Sequence, residues 1–188
     1  MTVRLYIDIE IFSATDLKKS GVYRYVEDPS FRILMAAWTR DDDPVGEIQI
    51  AIGDEEINAI PGLWDPEVLK VAHNATFERI CFSEFARRQD AGAERHEFLP
   101  PEEWHDTMAT AAERGYPRKL EDLARWIGLE QKDSAGTRLI NLFSKPNRSG
   151  GRNDEKSHPK EWAEFVAYCR QDVAVLRGRS EAVVESRI

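Results

Sequence analysis

Three features are scarce or absent in this sequence of 188 residues, and each absence excludes something. Only two cysteines occur, Cys81 and Cys169, and each lies inside an apolar helical pattern. We therefore expect buried core residues rather than a disulfide or a metal site. No apolar stretch is long enough to span a membrane, and the first residues lack the long apolar core of a signal peptide. These absences predict a cytosolic protein without a membrane partner.

Positive charge is the third scarce quantity. The chain has 26 Lys and Arg against 34 Asp and Glu, which gives a net charge of −8. This balance argues against strong nonspecific binding of nucleic acid through a basic surface. It does not exclude an enzyme that acts on nucleic acid, because bound metal ions would neutralise part of an acidic site. The remaining composition, 41% hydrophobic and 32% charged, is typical of one globular domain.

The first hydrophobic run alternates strictly between apolar and other residues. At positions 3–11 every odd residue is Val, Leu or Ile, and Asp8 and Glu10 fall between them. A period of two predicts a strand with one apolar face, so both carboxylates lie on the opposite face. Residues two apart on a strand are roughly 7 Å apart along the chain, and two carboxylates so placed can share one site.

Three further runs predict strands that extend this one into a sheet. They cover residues 31–39, 46–52 and 68–73, and an acidic turn at 41–44 connects the first two. The first three strands of the chain are therefore predicted to form an antiparallel meander. Residues 53–67 are acidic and contain Pro and Gly, which predicts a loop or a short helix.

Apolar residues at helical spacing predict the remaining elements. The predicted helices begin at Ala75, run from a cap at Asp106 to Arg114, run from Leu120 to Gly128, surround Leu139–Phe143, and begin at Pro159. Residues 89–101 and 145–158 predict loops, and basic residues of the second loop either meet a phosphate backbone or belong to a solvated linker. This order predicts one α/β domain over residues 1–188, with a mixed β-sheet flanked by α-helices.

Tyr168 and Asp172 are spaced one turn apart on the last predicted helix. Residues i and i+4 share a helix face about 6 Å apart. Asp172 can therefore join Asp8 and Glu10 in one cluster. Such a cluster is costly unless cations neutralise it, and carboxylate oxygens suit Mg²⁺ and Mn²⁺. A pair of these ions is a common device for cleaving phosphodiesters.

Three motifs, in this order, make the sequence resemble the DEDD superfamily of 3′→5′ exonucleases, which have a ribonuclease H-like fold. The Asp-x-Glu motif is matched by Asp8-Ile9-Glu10, the His-Asn-x-x-Phe-(Asp/Glu) motif by residues 73–78, and the Tyr-x-x-x-Asp motif by residues 168–172. The final tyrosine is typical of the tyrosine-type branch. The likeness covers nearly the whole chain, and residues 104–108 and 120–124 support it. Together, the motifs and these stretches look most like the proofreading domain of phage-type family A DNA polymerases.

The resemblance implies hydrolysis of DNA from its 3′ end to nucleoside 5′-monophosphates, as in proofreading during replication. The implied catalytic residues are Asp8, Glu10, Glu78, Tyr168 and Asp172, with two Mg²⁺ or Mn²⁺ ions held by the four carboxylates. Asp8 would bridge both ions, Glu10 and Asp172 would complete the nucleophile side, and Glu78 would hold the second ion. Tyr168 would orient the attacking water, because a free phenol with a pKa near 10 is a poor base.

The same resemblance implies partners and a location. The substrate would be single-stranded DNA or a frayed 3′ end, and a DNA polymerase domain or subunit would be a partner. The location would be the cytoplasm of a bacterium or of a phage-infected host.

Two residues depart from the pattern of the family. Glu78 occupies a position that is usually Asp, and its longer arm would reach a metal ion or a metal-bound water. Ile11 occupies a position that is often Thr and that helps to hold the terminal nucleotide, so this contact must come from backbone groups or be absent. Phe77, within the second motif, is expected to bind substrate.

Three other side chains have two interpretations each. Phe12 either stacks on the terminal base or belongs to the core. Asn74 either contacts the substrate backbone or caps the helix that carries Glu78. Asp106 either orients a metal-bound water or caps a helix, and we favour the cap.

Two competing functions remain open at this level. An RNA or oligonucleotide exonuclease of the same superfamily would differ in its treatment of the 2′-hydroxyl, which no residue of the sequence decides. A catalytically silent nucleic-acid-binding module would explain the departures at Glu78 and Ile11. The joint presence of Asp8, Glu10, Tyr168 and Asp172 argues against the silent module, because a fold does not require that set.

Overall fold

A computed structural model describes residues 2–43, 47–89, 98–126, 128 and 135–185. Within these ranges the strands are β1 (Arg4–Phe12), β2 (Arg32–Arg40), β3 (Gln49–Ile52), β4 (Leu69–Ala72) and β5 (Trp104–Asp106). The α-helices are α1 (Leu17–Glu27), α2 (Asp54–Asn58), α3 (Ala75–Gln89), α4 (Thr107–Glu113), α5 (Leu120–Trp126), α6 (Ala135–Phe143) and α7 (Pro159–Glu185). None of the helices in these ranges has both the length and the apolar character needed to cross a membrane.

The five strands form one mixed sheet in the order β3-β2-β1-β4-β5. β1 pairs antiparallel with β2, and β2 with β3, so the predicted meander is confirmed. β4 pairs parallel with β1 and then with β5. The sheet is flanked by helices, which confirms the predicted α/β class and is compatible with a ribonuclease H-like fold. Its central strand is β1, the strand that carries Asp8 and Glu10.

Both faces of β1 are covered, and the alternation of its sequence decides which residues face which helices. Leu5, Ile7, Ile9 and Ile11 belong to a core cluster with α1 and α3. Tyr6 and Phe12 belong to a second cluster with α6 and α7. A strand buried on both faces usually carries apolar residues on both. Asp8 and Glu10 are the exceptions, and they lie under α7.

Two elements were not predicted from the sequence. Helix α1 buries only Tyr25 and Val26 and is kinked at Gly21, whose φ is 76°, so its apolar periodicity is weak. Strand β5 has three residues, which is too short for a period of two to be visible. The strand places Asp106 at the edge of the sheet next to β4, opposite Ala72.

The other element boundaries agree with prediction to within a few residues. The strand predicted at 46–52 is observed as β3, and its first residue lies outside the described ranges. The same applies to residues 44–46 of the predicted turn region and to 90–97 of the predicted loop. Residues 145–158 form turns and bends without a helix or strand, as expected.

Candidate functional site

The carboxylates of β1 lie at the centre of the sheet. Glu10 is 7% exposed, and Asp8 is partly buried. The pairing of β1 with β2 shifts register between Glu10 and Ile11, and a bulge of this kind re-aims the side chains around it. The two acidic residues therefore project from one buried face immediately before this shift in register.

Helix α7 crosses this face and brings Tyr168, Cys169 and Asp172 to it. The Cys169 thiol donates weakly to Asp8, with Sγ 3.7 Å from Oδ2 and 3.8 Å from the backbone oxygen. Ligand atoms of Asp8, Glu10 and Cys169 all lie within 4.8 Å of one another. Asp172, one turn further on, is 7% exposed, and its charge acts on both Asp8 and Glu10. The structure therefore brings Asp172 near enough for its charge to act on the two carboxylates of β1, and joint metal binding by the three stays a prediction.

Cys169 is a member of this site that the sequence interpretation assigned only to the core. It is fully buried among apolar residues, as expected, but its thiol also contacts the Asp8 carboxylate. The available signal was its position three residues before Asp172, which puts both on one side of the helix. Burial and then the charges of Asp8 and Glu10 raise the pKa of the Cys169 thiol, which therefore donates a hydrogen bond to Asp8 in the metal-free protein.

Glu78 enters from the opposite side of the sheet. It lies in the first turn of α3, just after β4, and is 4% exposed. Its Oε2 is buried and has no hydrogen-bond partner among the residues that the structure describes. Native proteins rarely leave a buried polar atom unpaired, because desolvation without compensation costs about 1–3 kcal/mol or more. An unpaired carboxylate oxygen next to other carboxylates is what a cation-binding site looks like without its cation.

Electrostatics show that the four carboxylates form one group. The pKa of Asp8 is raised by burial and then by Asp172, and that of Glu10 by burial and then by Asp8 and Asp172. The pKa of Glu78 is raised by burial and then by Asp8. Asp8 is the only one of the four whose charge acts on both Glu10 and Glu78 in this set. The site is therefore centred on Asp8.

Among the described residues, no Lys or Arg forms an ion pair with Asp8, Glu10 or Glu78. A contrast is Lys70, which is fully buried on β4 but pairs with Glu103 at 2.8 Å. The donor set of the site, carboxylate oxygens converging in a buried place, fits Mg²⁺ or Mn²⁺.

Tyr168 lies beside the carboxylates and is held on several sides. Its hydroxyl is hydrogen-bonded to the Asp172 carboxylate, and its ring stacks on Phe165 with centroids 6.5 Å apart and planes 12° apart. Burial and then Asp172 raise the pKa of Tyr168 far above the ordinary phenol value. The hydroxyl therefore stays protonated and donates a hydrogen bond, which excludes it as a general base at neutral pH.

The residues expected to bind substrate are less uniform. Phe12 is 5% exposed and packs in the core with α6 and α7, as the second of its two interpretations predicted. Ile11 is 7% exposed and packs in the other core cluster. Phe77 is partly buried against that same cluster. Asn74 is exposed, with a left-handed φ of 76°. Contacts of these four residues with a substrate remain predictions.

Asp106 acts as the helix cap that the sequence favoured. Its Oδ1 accepts from the backbone N–H groups of Met108 at 2.9 Å and Ala109 at 3.4 Å, at the start of α4. The same oxygen accepts from the N–H of Asn74 at 3.0 Å. Asp106 thus ties the turn before α3 to the start of α4. Its charge also contributes to the raised pKa of Glu78, which shows that it lies near the acidic group.

His73, the first residue of the second motif, has a fixed place. Its Nδ1 lies 3.0 Å from Thr107 Oγ1, and its Nε2 lies 2.7 Å from the backbone oxygen of Arg118. Both ring nitrogens are engaged in contacts within the protein. His73 therefore stabilises the end of β4 next to the site.

The fold and the site together define a class: a mixed α/β protein with a buried carboxylate group suited to divalent cations. No protein-family model matches the chain. Over 181 residues, 92% of the chain, the sequence is 40% identical to a DNA polymerase of Bacillus phage SP02. The chain spans 26% of the length of that curated relative, so the similarity concerns about a quarter of the larger protein.

Proposed function

We propose that residues 1–188 form a metal-dependent 3′→5′ exonuclease that hydrolyses DNA to nucleoside 5′-monophosphates. The observation that carries the proposal is the convergence of Asp8, Glu10, Glu78 and Asp172, four carboxylates from three distant segments. The buried Glu78 Oε2 has no hydrogen-bond partner, and no Lys or Arg of the described chain pairs with Asp8, Glu10 or Glu78. A structural role alone would not favour so costly a group on the central strand.

The central position of Asp8 among the interacting carboxylates suggests which role each carboxylate has in binding metal ions. Two divalent ions, when bound, supply an activated water and stabilise the leaving 3′ oxygen. Asp8 is the member that interacts with carboxylates on both sides, which suits it to be the shared ligand. Glu10 and Asp172 would help Asp8 to hold one ion, and Glu78 would help it to hold the other. The Cys169 thiol fixes the Asp8 side chain by donating to Oδ2.

Tyr168 is assigned to positioning within this reaction. Its hydroxyl donates to Asp172 and stays protonated, so it cannot remove a proton from the attacking water. It orients the Asp172 carboxylate, and through that carboxylate the water that attacks the phosphorus. Replacing Tyr168 by Phe would alter the geometry of the site without removing a charge. The loss of cleavage activity should therefore be partial.

The choice of DNA as substrate rests on the similarity to a phage DNA polymerase. We infer a proofreading role in DNA replication, inside a bacterial or phage-infected cell, on a single-stranded or frayed 3′ end. The polymerase partner would be on the same natural chain or on another subunit. The RNA-specific alternative and the catalytically silent alternative become outcomes of the test.

The test is a time course on single-stranded DNA labelled at the 3′ or the 5′ end, with Mg²⁺, Mn²⁺ or EDTA. We expect immediate release of labelled mononucleotide from the 3′ end, stepwise shortening of the 5′-labelled strand, and no reaction in EDTA. The control variant is Asp8→Asn, and a matched RNA strand tests sugar selectivity. Absence of cleavage with either metal would refute the nuclease proposal, and faster cleavage of RNA would refute the assignment to DNA.

A further inference from the structure

Helix α6 contains a glycine whose place in the structure the motifs do not explain. Gly136 is the second residue of α6, and its φ is not in the left-handed region. Its backbone conformation is therefore open to any residue. Glycine is otherwise costly in a helix, by up to about 1 kcal/mol relative to alanine. The reason for glycine here must be sought in its surroundings.

Those surroundings are the ring of Tyr168. A Cβ atom built on Gly136 would lie 2.6 Å from Cε2, 3.0 Å from Cζ and 3.2 Å from the hydroxyl oxygen of Tyr168. Carbon atoms in contact are normally about 3.5–4.0 Å apart. The backbone of α6 thus lies directly against the tyrosine ring, in a space that only a residue without a side chain leaves free.

Neither partner is free to retreat from the other. The ring is stacked on Phe165, and its hydroxyl is bonded to Asp172. Helix α6 is anchored to the same core by Leu139 and Phe143, which are buried with residues of α7. An added methyl group at position 136 would therefore displace the hydroxyl from Asp172 more easily than it would displace the helix.

We propose that Gly136 is a positioning residue for the reaction, because its missing side chain lets the backbone of α6 hold the Tyr168 hydroxyl on Asp172. This inference rests on the nuclease activity proposed above. It extends the site to an element, α6, that contains none of the residues implied by the three motifs. Gly136 touches no reacting atom in this view and acts only through Tyr168.

The test is a double-variant cycle of Gly136→Ala and Tyr168→Phe, measured as initial rates of nucleotide release at saturating Mn²⁺. Gly136→Ala alone should lower kcat about 10- to 100-fold, because a misplacement of about 1 Å can cost that much. KM should change less than about threefold, since ground-state binding is untouched. In the Tyr168→Phe background the same change should cost less than about threefold more, because no hydroxyl remains to be misplaced.

The control is Gly178→Ala, a change of an exposed helical glycine of α7 with no atom within 4 Å of the added Cβ. It should leave kcat and KM as in the unchanged protein. Wild-type-like rates for Gly136→Ala, or losses that multiply fully in the double variant, would overturn the positioning role. A wild-type protein that releases no nucleotide would refute the proposed function itself, so the two failures are distinguishable.

A second measurement keeps the inference testable if Gly136→Ala folds poorly. Tyr168→Ala removes the ring, so adding Gly136→Ala to it should lower the thermal unfolding midpoint no further. The pair of changes would then be more stable than the sum of the two single effects predicts. A double variant as unstable as the full sum would show that the methyl group clashes elsewhere, and would overturn the inference.

Discussion

The two faces of β1 come from one alternating stretch of sequence, yet they have opposite effects on the stability of the fold. The face toward α1 and α3 presents Ile7 and Ile9, which are at most 6% exposed and only add apolar contacts. The face toward α7 presents Asp8 and Glu10. Burial and then the charge of Asp172 raise the pKa of Asp8, and burial and then the charges of Asp8 and Asp172 raise the pKa of Glu10. Neighbouring residues on the same strand therefore contribute stability on one side and a costly acidic group on the other.

The residues that stabilise the fold and the residues proposed to carry out the reaction lie on different faces of the same strand. Burial of the isoleucines contributes about 1.5–3 kcal/mol each. Burial of like charges without a cation opposes folding. The contrast with Lys70, which is just as buried but paired with Glu103, shows that the fold satisfies buried charges elsewhere.

Substitutions at the adjacent residues Asp8 and Ile9 should have opposite consequences for activity and stability. Asp8→Asn should lower nuclease activity by at least about a thousandfold, roughly 4 kcal/mol in the barrier, through loss of the shared metal ligand. The metal-free variant should be more stable than the parent because one buried negative charge is gone. Ile9→Ala should instead lower the free energy of unfolding by about 2–5 kcal/mol.

Both variants are measured by urea unfolding in EDTA and by the rate per folded molecule. Ile9→Ala should keep that rate near the parent value, because the isoleucine faces away from the acidic group. The comparison of faces breaks down if Asp8→Asn destabilises the metal-free protein, or if Ile9→Ala abolishes cleavage in molecules that remain folded.

Metal ions and pH should act on stability through the acidic group and not through the isoleucines of β1. The pKa values of Asp8, Glu10 and Glu78 are raised on folding, so the folded state holds more protons than the unfolded state. Their contribution to stability is thus largest at acidic pH, and is lost as pH rises from the unfolded values near about 4 toward the raised folded values. Mn²⁺ at about 100 times its Kd should restore about 2.7 kcal/mol.

Thermal unfolding with EDTA or Mn²⁺, between pH 5 and pH 8, measures this effect. The stabilisation by Mn²⁺ should grow with pH, because protons compete with the metal ion for the carboxylates. The double variant Asp8→Asn/Glu10→Gln should show neither the metal effect nor its pH dependence. An equal shift in parent and double variant would place metal binding outside this face of β1.

Tyr168→Phe should show how finely the acidic face is arranged. The variant keeps every carboxylate but loses the hydrogen bond to Asp172, so cleavage should fall about 10- to 100-fold and remain measurable. Steady-state rates with Mn²⁺, beside those of Asp8→Asn, give the comparison. Equal losses in the two variants would contradict the positioning role assigned to Tyr168.

Asp106→Ala should give the smallest effect on the chemistry. It removes the cap of α4 and the acceptor for the Asn74 N–H, so the free energy of unfolding should fall by about 1–2 kcal/mol. Asp106→Asn retains a capping side chain and should restore most of it. The rate per folded molecule should stay near that of the parent for both, and a loss as large as for Asp8→Asn would move Asp106 into the metal site.

The local pattern of the sequence was sufficient for much of this molecule. The alternation at 3–11 determined that Asp8 and Glu10 share a face, because side chains on a strand alternate regardless of what covers them. Helical spacing likewise predicted α3, α7 and the turn between Tyr168 and Asp172. Helix α1 and strand β5 escaped prediction because one buries too little, and the other is too short, for any period to show.

Only the tertiary structure decided what those faces meet. The contact between Cys169 and Asp8 joins residues 161 positions apart, and it depends on where α7 crosses the sheet. The buried Glu78 oxygen, the core position of Phe12 and the approach of Gly136 to the Tyr168 ring have the same origin. Periodicity specifies which way a side chain points relative to its own element. Which distant element it meets follows from the packing of the whole chain, and no local pattern contains that information.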